Sequence, residues 1–133
     1  MDVSLCDAGE TSFFSCEIGA KRVSVCGSGS GAVYRYGTLG TVELVSRSLT
    51  FANRAYSGGG ESQITAKNED YTYTVYDSTV RTAFGDGPNY PEFSSGLVIS
   101  QRGRVISRKI CKSDSSVNAN AGRTLPAGRF VEH

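Results

Sequence analysis

The chain has 133 residues and a formal net charge of +1, from 14 basic and 13 acidic side chains, and it contains 16 glycines and 3 prolines. The length fits one domain, and the glycine content favours many tight turns between short elements. The balanced charge excludes the strong positive field that nucleic-acid binding needs, so we expect no nucleic-acid partner. We also expect no membrane span, because no apolar run approaches the length of about 20 residues that a spanning helix requires.

Taken in chain order, the predicted elements are β-strands. β-branched and aromatic residues alternate with polar ones or are bounded by turn residues, which is the pattern of strands rather than helices. The predicted strands cover residues 11–17, 21–26, 32–37, 41–51, 62–67, 71–77, 96–101 and 104–111. The last two form a hairpin that turns at Arg102-Gly103. This pattern predicts an all-β fold: a small antiparallel β-barrel or sandwich of about eight strands, with two disulfides.

Two segments do not fit the strand pattern. Residues 79–93 contain two prolines, two glycines and three aromatic residues, which predicts a long loop. Residues 113–133 are rich in small and polar side chains. We therefore predict a β domain over residues 1–112, followed by a polar, loosely ordered C-terminal tail over 113–133. For the last three residues, a remnant of cloning is the alternative.

The cysteines indicate disulfides rather than a metal site. They are Cys6, Cys16, Cys26 and Cys111. A zinc site needs Cys-x-x-Cys pairs or nearby histidines, whereas these cysteines are far apart and the sequence has one histidine, His133. We therefore predict no metal. An even number of cysteines in a small, glycine-rich β chain is typical of disulfides that form in an oxidising compartment.

The pairing of the cysteines is open, because four cysteines allow three connectivities. If the turn after the first strand places Gly19 opposite Val23, then Cys16 lies opposite Cys26 and a cross-strand disulfide is geometrically possible. The other two cysteines would then join the N-terminal segment to the last strand. Under this assumption, a disulfide cross-links the first hairpin of a small exported domain.

Catalysis has little support in the sequence. There is no internal histidine for general-base or Cys-His chemistry and no Gly-x-Ser-x-Gly motif. The carboxylates that would suit a glycosidase lie in turn-like segments, where we expect them to be solvated surface charges. They are Glu61, Glu69, Asp70 and Asp86. We therefore predict a binding protein that is not an enzyme and that uses no cofactor.

Several stretches resemble known proteins. The run "FFSCEIGAKRVSVCGS", then "YRYGTLGTVELV", "YTYTVYD" and a closing hairpin that ends in Cys111 resemble a group of small exported proteins of Gram-negative bacteria. More loosely, the chain is similar to the periplasmic lysozyme inhibitors of the membrane-bound and periplasmic C-type class, which are disulfide-stapled β-barrels. Those inhibitors carry a Ser-Gly-x-x-Tyr motif on a loop that enters the lysozyme cleft, and this chain has Ser30-Gly31-Ala32-Val33-Tyr34. At the family's second motif, a lysine-glycine, this chain reads Lys67-Asn68.

The chain also resembles immunity proteins of type VI secretion systems, which are small, periplasmic and β-rich and which block a peptidoglycan-cleaving toxin. Both resemblances imply a periplasmic protein whose partner is a peptidoglycan hydrolase, and we expect that a signal peptide has been removed from the mature chain. The function they imply is inhibition of a lysozyme-like muramidase by a loop inserted into its cleft. The alternative is an exported module that binds an envelope polymer, or is structural, without inhibitory activity. The oligomeric state is left open.

Two loops are candidates for contact with the hydrolase. The Ser-Gly-x-x-Tyr resemblance implies residues 28–34, while residues 81–93 are favoured because a proline-stiffened loop holds residue types that dominate protein interfaces. The candidate contacts are Ser30, Gly31 and Tyr34 in the first loop and Arg81, Phe84, Asn89 and Tyr90 in the second. The alternative for Phe84 and Phe93 is that they close one end of the barrel.

Overall fold

The computed structural model describes residues 4–29, 31–38, 40–56, 59–81, 91–112, 115–118 and 120–133, with the backbone alone at 56, 80, 81, 91 and 92. These described residues form nine strands and one short helix. The strands are β1 (Thr11–Ile18), β2 (Lys21–Ser28), β3 (Gly31–Thr38), β4 (Thr41–Ser46), β5 (Leu49–Tyr56), β6 (Gly59–Asn68), β7 (Tyr71–Arg81), β8 (Pro91–Gln101) and β9 (Arg104–Ile110), and the helix is α1 (Ala121–Thr124).

The strands form two antiparallel sheets, and within each sheet every strand pairs with its neighbour in sequence. Sheet one has the order β1-β2-β3-β4, and sheet two has the order β5-β6-β7-β8-β9. A tight turn joins β1 to β2: Ile18 and Lys21 pair across a two-residue turn with Gly19 at a φ of 60°. The predicted all-β, antiparallel fold with two disulfides is confirmed. In the part of the chain that the structure describes, the sheets remain two and do not close into a barrel.

The two sheets share one hydrophobic core. Val23 and Val25 of sheet one are fully buried, as are Val75 and Leu97 of sheet two. These residues and Ile64 belong to a single cluster of contacting side chains. Each aliphatic side chain buried in this way stabilises the fold by about 1.5–3 kcal/mol. The core therefore holds the two sheets together.

The predicted strand over residues 41–51 is two strands in the structure. β4 ends at Ser46 in sheet one, and β5 begins at Leu49 in sheet two. The link is held against β6, because the hydroxyl of Ser46 donates to the carbonyl of Lys67 at 2.6 Å and the amide of Lys67 donates to the carbonyl of Ser48 at 2.9 Å. Period-two alternation continues through both strands, so the sequence pattern does not show where the chain passes between sheets.

The disulfide pairing differs from the one that the assumed turn predicts. The bonds join Cys6 to Cys26 and Cys16 to Cys111. The turn after β1 is tighter than assumed, so Cys16 lies opposite Val23 rather than opposite Cys26. The Cys16–Cys111 bond therefore connects β1 of sheet one to the end of β9 in sheet two. The Cys6–Cys26 bond fastens the N-terminal segment to β2.

The predicted loosely ordered tail, residues 113–133, makes specific contacts where the structure describes it. Ala121 is fully buried and Leu125 is 9% exposed, both within the core cluster. The amide of Asn118 donates to the carbonyl of Phe13 at 2.8 Å. The sequence did not indicate these contacts, because a polar composition does not reveal hydrogen bonds that a segment makes through its backbone.

An ion pair holds the N-terminal segment against β3. The guanidinium of Arg35 donates to both carboxylate oxygens of Glu10, at 2.6 and 3.1 Å, and to the carbonyl of Leu5 at 3.1 Å. The two charged side chains are only 12% and 14% exposed. The hydrogen bond from Arg35 holds the pKa of Glu10 below its ordinary value. Glu10 therefore stabilises the folded chain in its ionised form.

We expect Glu10→Gln to lower the free energy of unfolding by about 1–3 kcal/mol at neutral pH, because it removes a charge-assisted, bidentate hydrogen bond. The pKa of Glu10 is depressed in the folded state. Its contribution is therefore complete above the unfolded-state pKa of about 4.3 and is lost as the pH falls through the folded-state value. Urea denaturation of both proteins at pH 7 and pH 3 should show the difference shrinking at pH 3. A pH-independent difference, or an equal loss for Glu43→Gln at the exposed pair with Lys21, would contradict this account.

Candidate functional site

The first predicted contact loop does not present its tyrosine to solvent. Ser30 lies outside the described residues, and Gly31 is exposed at the start of β3. Tyr34 lies within β3, is 1% exposed and stacks on Tyr73 with ring centroids 5.5 Å apart. Tyr34 is therefore not on a loop, and its contact with a partner stays a prediction. β3 begins at Gly31, and strand alternation directs Tyr34 into the core.

The hydroxyl of Tyr34 is a buried polar group that has no hydrogen-bond partner among the described residues. Burial raises the pKa of Tyr34 far above its ordinary value, so the hydroxyl stays protonated and neutral. An unpaired buried hydroxyl opposes folding, whereas the ring of the same residue fills the core. Tyr34 is therefore a packing residue, and sequence reasoning had no signal that would separate this role from that of a motif tyrosine.

The second predicted contact loop falls almost entirely outside the described residues. Phe84, Asn89 and Tyr90 lie there, and of Arg81 the structure describes the backbone, which pairs with Pro91 at the end of β7. Phe93 is part of β8 and is 58% exposed. Phe93 therefore does not close the end of a barrel. The proposed role of this loop stays a prediction.

The β8–β9 hairpin presents a surface that the sequence analysis did not single out. Arg102 and Gly103 form its two-residue turn with φ values of 52° and 82°, which places the turn at the tip of sheet two. β9 is the last strand of the sheet, so one side of its backbone has no strand partner among the described residues. The exposed residues that we call the β9 surface are Arg102, Arg104, Ile106, Arg108 and Ile110.

The charge of the β9 surface is positive and largely unpaired. Residues 102–112 contain five cationic side chains and no carboxylate, although the whole chain has a net charge of +1. Arg102 pairs with Asp70 at 3.2 Å. In the described ranges, no carboxylate lies within 4.0 Å of Arg104 or Arg108. A local count of charges in the last hairpin is the sequence signal that points to this surface.

Exposed apolar side chains accompany this charge. Ile106 is 51% exposed and Ile110 is 63% exposed. Edge strands of stable monomers are commonly protected by charges, and here large aliphatic residues alternate with the cations. An edge of this kind suits an acidic partner that offers apolar contact.

A groove lies on the outer face of sheet two, the face turned away from the core. Its volume is about 490 Å³. Hydroxyl-bearing side chains form its floor and residues 129–132 form one wall. The hydroxyls belong to Ser48, Thr50, Thr65, Thr72 and Ser100. Because hydroxyl groups donate and accept hydrogen bonds, this floor is suited to a polar ligand.

The predicted surface carboxylates have different surroundings. Glu61 is only 7% exposed, so its assignment to a solvated turn is wrong. β6 carries it beneath the C-terminal residues, where its Oε2 accepts a hydrogen bond from Gln63 Nε2 at 2.6 Å and lies 2.7 Å from His133 Nε2. Glu69 is exposed in a turn with a φ of 57°. Asp86 lies outside the described residues.

One grouping of potential metal ligands exists among the described residues, and its chemistry does not suit a metal. It consists of Cys6, Glu10 and Cys26. The two sulfur atoms are bonded to each other at 2.02 Å, so neither is a thiolate. The Glu10 carboxylate is engaged by Arg35. This grouping fastens the N-terminal segment rather than holding an ion.

The chain was compared with models of protein families, with curated proteins and with solved structures, and none of the three comparisons found a match. The resemblance to lysozyme inhibitors and immunity proteins therefore stays a prediction from the sequence. The β9 surface and the groove on sheet two are the two candidate binding sites in the part of the chain that the structure describes.

Proposed function

We propose that this chain is an exported binding protein that inhibits a peptidoglycan-cleaving enzyme of the lysozyme type, as an inhibitor or as an immunity protein. The observation that supports the proposal best is the β9 surface: a largely unpaired cationic strand edge on a domain held by two disulfides. The contact site that we now favour is this hairpin. It replaces the loop at Tyr34, whose ring is buried.

The target chemistry follows from the charges. A muramidase cleft holds two catalytic carboxylates, and an inhibitor that occupies the cleft must offer cations or hydrogen-bond donors to them. Arginine pairs with carboxylates through two parallel hydrogen bonds, which gives both strength and orientation. Arg102 at the hairpin tip has 82% of its side chain exposed and Arg104 beside it is also exposed, which supports the proposal that these two side chains enter the cleft.

The disulfides agree with export. Disulfides form and persist in oxidising compartments, and all four cysteines of this chain are in disulfides. Among the described residues, no helix has the length and apolar character needed to cross a membrane. The periplasm, as the oxidising compartment that contains peptidoglycan, is the location that the proposed function requires.

The experiment reverses the charge of the β9 surface. Arg104→Glu combined with Arg108→Glu should weaken binding to the captured hydrolase at least a hundredfold, or about 2.8 kcal/mol, because like charges would face each other across the interface. Binding of the wild-type chain should also weaken as the salt concentration rises.

The matched control is Arg47→Glu combined with Arg123→Glu, two exposed arginines outside this surface. Both double variants should melt within a few degrees of the wild type. Equal affinity of both variants would contradict the proposed contact.

The groove on sheet two favours a second candidate function. Its hydroxyl-lined floor, with Lys67 and Arg129 at its margin, suits a hydroxylated envelope polymer with anionic groups. This corresponds to the alternative of a polymer-binding module. Co-sedimentation of the purified chain with insoluble peptidoglycan, in the absence of any hydrolase, separates the two functions.

A further inference from the structure

The outer face of sheet two is unusual because it is polar and yet covered. Gln63 and Thr74 are fully buried there, and Glu61 is 7% exposed. Burial of polar groups is unfavourable unless hydrogen bonds compensate it. The cover is the C-terminal segment, which we define as residues 126–133. The polar groups of this face are therefore available to form hydrogen bonds with a peptide that lies on it.

The segment reaches this face along the edge of β5. The amide of Phe51 donates to the carbonyl of Pro126 at 2.9 Å, and the amide of Gly128 donates to the carbonyl of Phe51 at 2.8 Å. Ala127 thereby forms an isolated parallel bridge with Phe51. These bonds add one short extended piece to the free edge of the sheet, which is how β-strand addition holds a peptide.

Beyond the edge, a side chain of the sheet binds the backbone of the segment. Gln63 Nε2 donates to the carbonyl of Val131 at 2.9 Å, and the amide of Val131 donates to Gln63 Oε1 at 2.8 Å. Both hydrogen bonds are made to the extended backbone of the segment, so they do not depend on the side chain at position 131. They are contacts that any extended peptide can make.

Two further contacts read side chains of the segment. The guanidinium of Arg54 pairs with the carboxylate of Glu132 and lies 4.1 Å from the ring centroid of Phe130. The imidazole of His133 contacts the carboxylate of Glu61. It also packs against the ring of Tyr76, and the centroids of these two rings are 4.5 Å apart. Arg54 thus contacts an aromatic side chain and, two positions later in the segment, a carboxylate.

We propose that the outer face of sheet two is a binding site for an extended peptide, and that the C-terminal segment is the ligand that occupies it within the same chain. The ligand in trans is an extended segment of a partner protein with an aromatic residue at the Phe130 position and a carboxylate at the Glu132 position. The groove of about 490 Å³ beside residues 129–132 leaves room for a bulkier peptide than the one present. The anchors of the segment are accessible, since Glu132 is 73% exposed and Arg54 is 44% exposed.

This site uses residues other than those of the β9 surface, so it does not depend on the proposed inhibition of a hydrolase. A tethered ligand competes at a high effective concentration, commonly millimolar, so the native chain should bind the same peptide only weakly from solution. Weakening the tethered ligand should open the site. An exchange of C-terminal segments between two copies would instead produce a dimer.

The test titrates a fluorescein-labelled synthetic peptide with the sequence of residues 126–133 into full-length proteins, followed by fluorescence anisotropy. Phe130→Ala combined with Glu132→Ala should bind the peptide at least tenfold more tightly than the wild type does. Adding Arg54→Ala to that variant should remove at least tenfold of the affinity. A control peptide with alanine at the positions of Phe130 and Glu132 should also bind at least tenfold more weakly.

Equal affinity of the wild type and the double variant would overturn the proposal, as would equal affinity for the two peptides. Light scattering should show that the wild type is a monomer. A dimer in which two copies exchange their C-terminal segments would overturn the proposal that the ligand is a segment of a different protein. If the double variant lacks a cooperative melt, Glu132→Gln alone replaces it. That carboxylate is mostly exposed, and its removal should strengthen peptide binding at least threefold; unchanged binding would overturn the proposal.

Discussion

Replacing Cys16 and Cys111 together by alanine is expected to lower the free energy of unfolding by about 4–5 kcal/mol. The two residues are 95 positions apart, so their bond removes more conformational entropy from the unfolded chain than the Cys6–Cys26 bond, which spans 20 positions. The Cys6–Cys26 bond, which closes the shorter loop, should contribute about 3 kcal/mol to the free energy of unfolding. A small domain is commonly stable by about 5–15 kcal/mol, so losing the longer bond leaves little margin. Urea denaturation followed by circular dichroism measures both losses.

The control variant is Cys6→Ala combined with Cys26→Ala. Before denaturation, a thiol titration of the unfolded, unreduced wild type should find essentially no free thiol, and peptide mapping should recover the two bonds of the structure. A loss for the Cys6–Cys26 pair equal to or larger than that for the Cys16–Cys111 pair would contradict the expectation. Four free thiols in the native protein would contradict the pairing and the assignment to an oxidising compartment.

Tyr34→Ala is expected to lower the free energy of unfolding by about 3–5 kcal/mol, whereas Tyr34→Phe should have no cost or should stabilise the chain. The ring is 1% exposed and stacks on Tyr73, so its removal leaves a cavity in the core. Within the part of the chain that the structure describes, the hydroxyl has no hydrogen-bond partner, and burial of an unpaired hydroxyl costs about 1–3 kcal/mol that phenylalanine avoids. Chemical denaturation of both variants measures the two effects.

The matched control is Tyr36→Phe, which removes a hydroxyl two residues away on the same strand from a half-buried side chain. Its effect should be within about 0.5 kcal/mol. A loss of more than about 1 kcal/mol in Tyr34→Phe would mean that the hydroxyl has a hydrogen-bonding partner in solution. That result would reopen a functional role for the Ser-Gly-x-x-Tyr sequence, whereas the expected result identifies Tyr34 as a core residue.

The sequence pattern predicted most strands, because side-chain alternation records which residues face a core. It did not separate β4 from β5, since alternation continues across the link at 47–48 while the hydrogen-bonding partner strands change. The predicted disulfides were correct in number, and their pairing was left open; the pairing that would follow from the assumed turn is not the one in the structure. A turn shorter than assumed placed Val23 opposite Cys16, and such a shift in register is set by turn geometry rather than by composition.

The candidate sites were harder to predict, because each depends on contacts between distant parts of the chain. The residues of β9 read as an ordinary strand, and only the sheet order shows that this strand is an edge. The polar C-terminal residues gave no pattern, because Gln63 binds the backbone of Val131 and backbone contacts leave no trace in composition. Ser-Gly-x-x-Tyr was interpreted as a loop motif, although Tyr34 follows the buried alternation of β3.

The central claim is that this chain binds and blocks a cell-wall hydrolase, and the most direct measurement is a turbidity assay. Hydrolases captured by the immobilised, oxidised chain from periplasmic and neighbouring-cell extracts are mixed with purified cell walls and increasing amounts of the chain. We predict that clearing of the suspension stops near stoichiometric amounts of the wild type and continues with the Arg104→Glu, Arg108→Glu variant. Undiminished clearing at a large molar excess of the wild type, or sedimentation of the chain with the walls without inhibition, would contradict the claim.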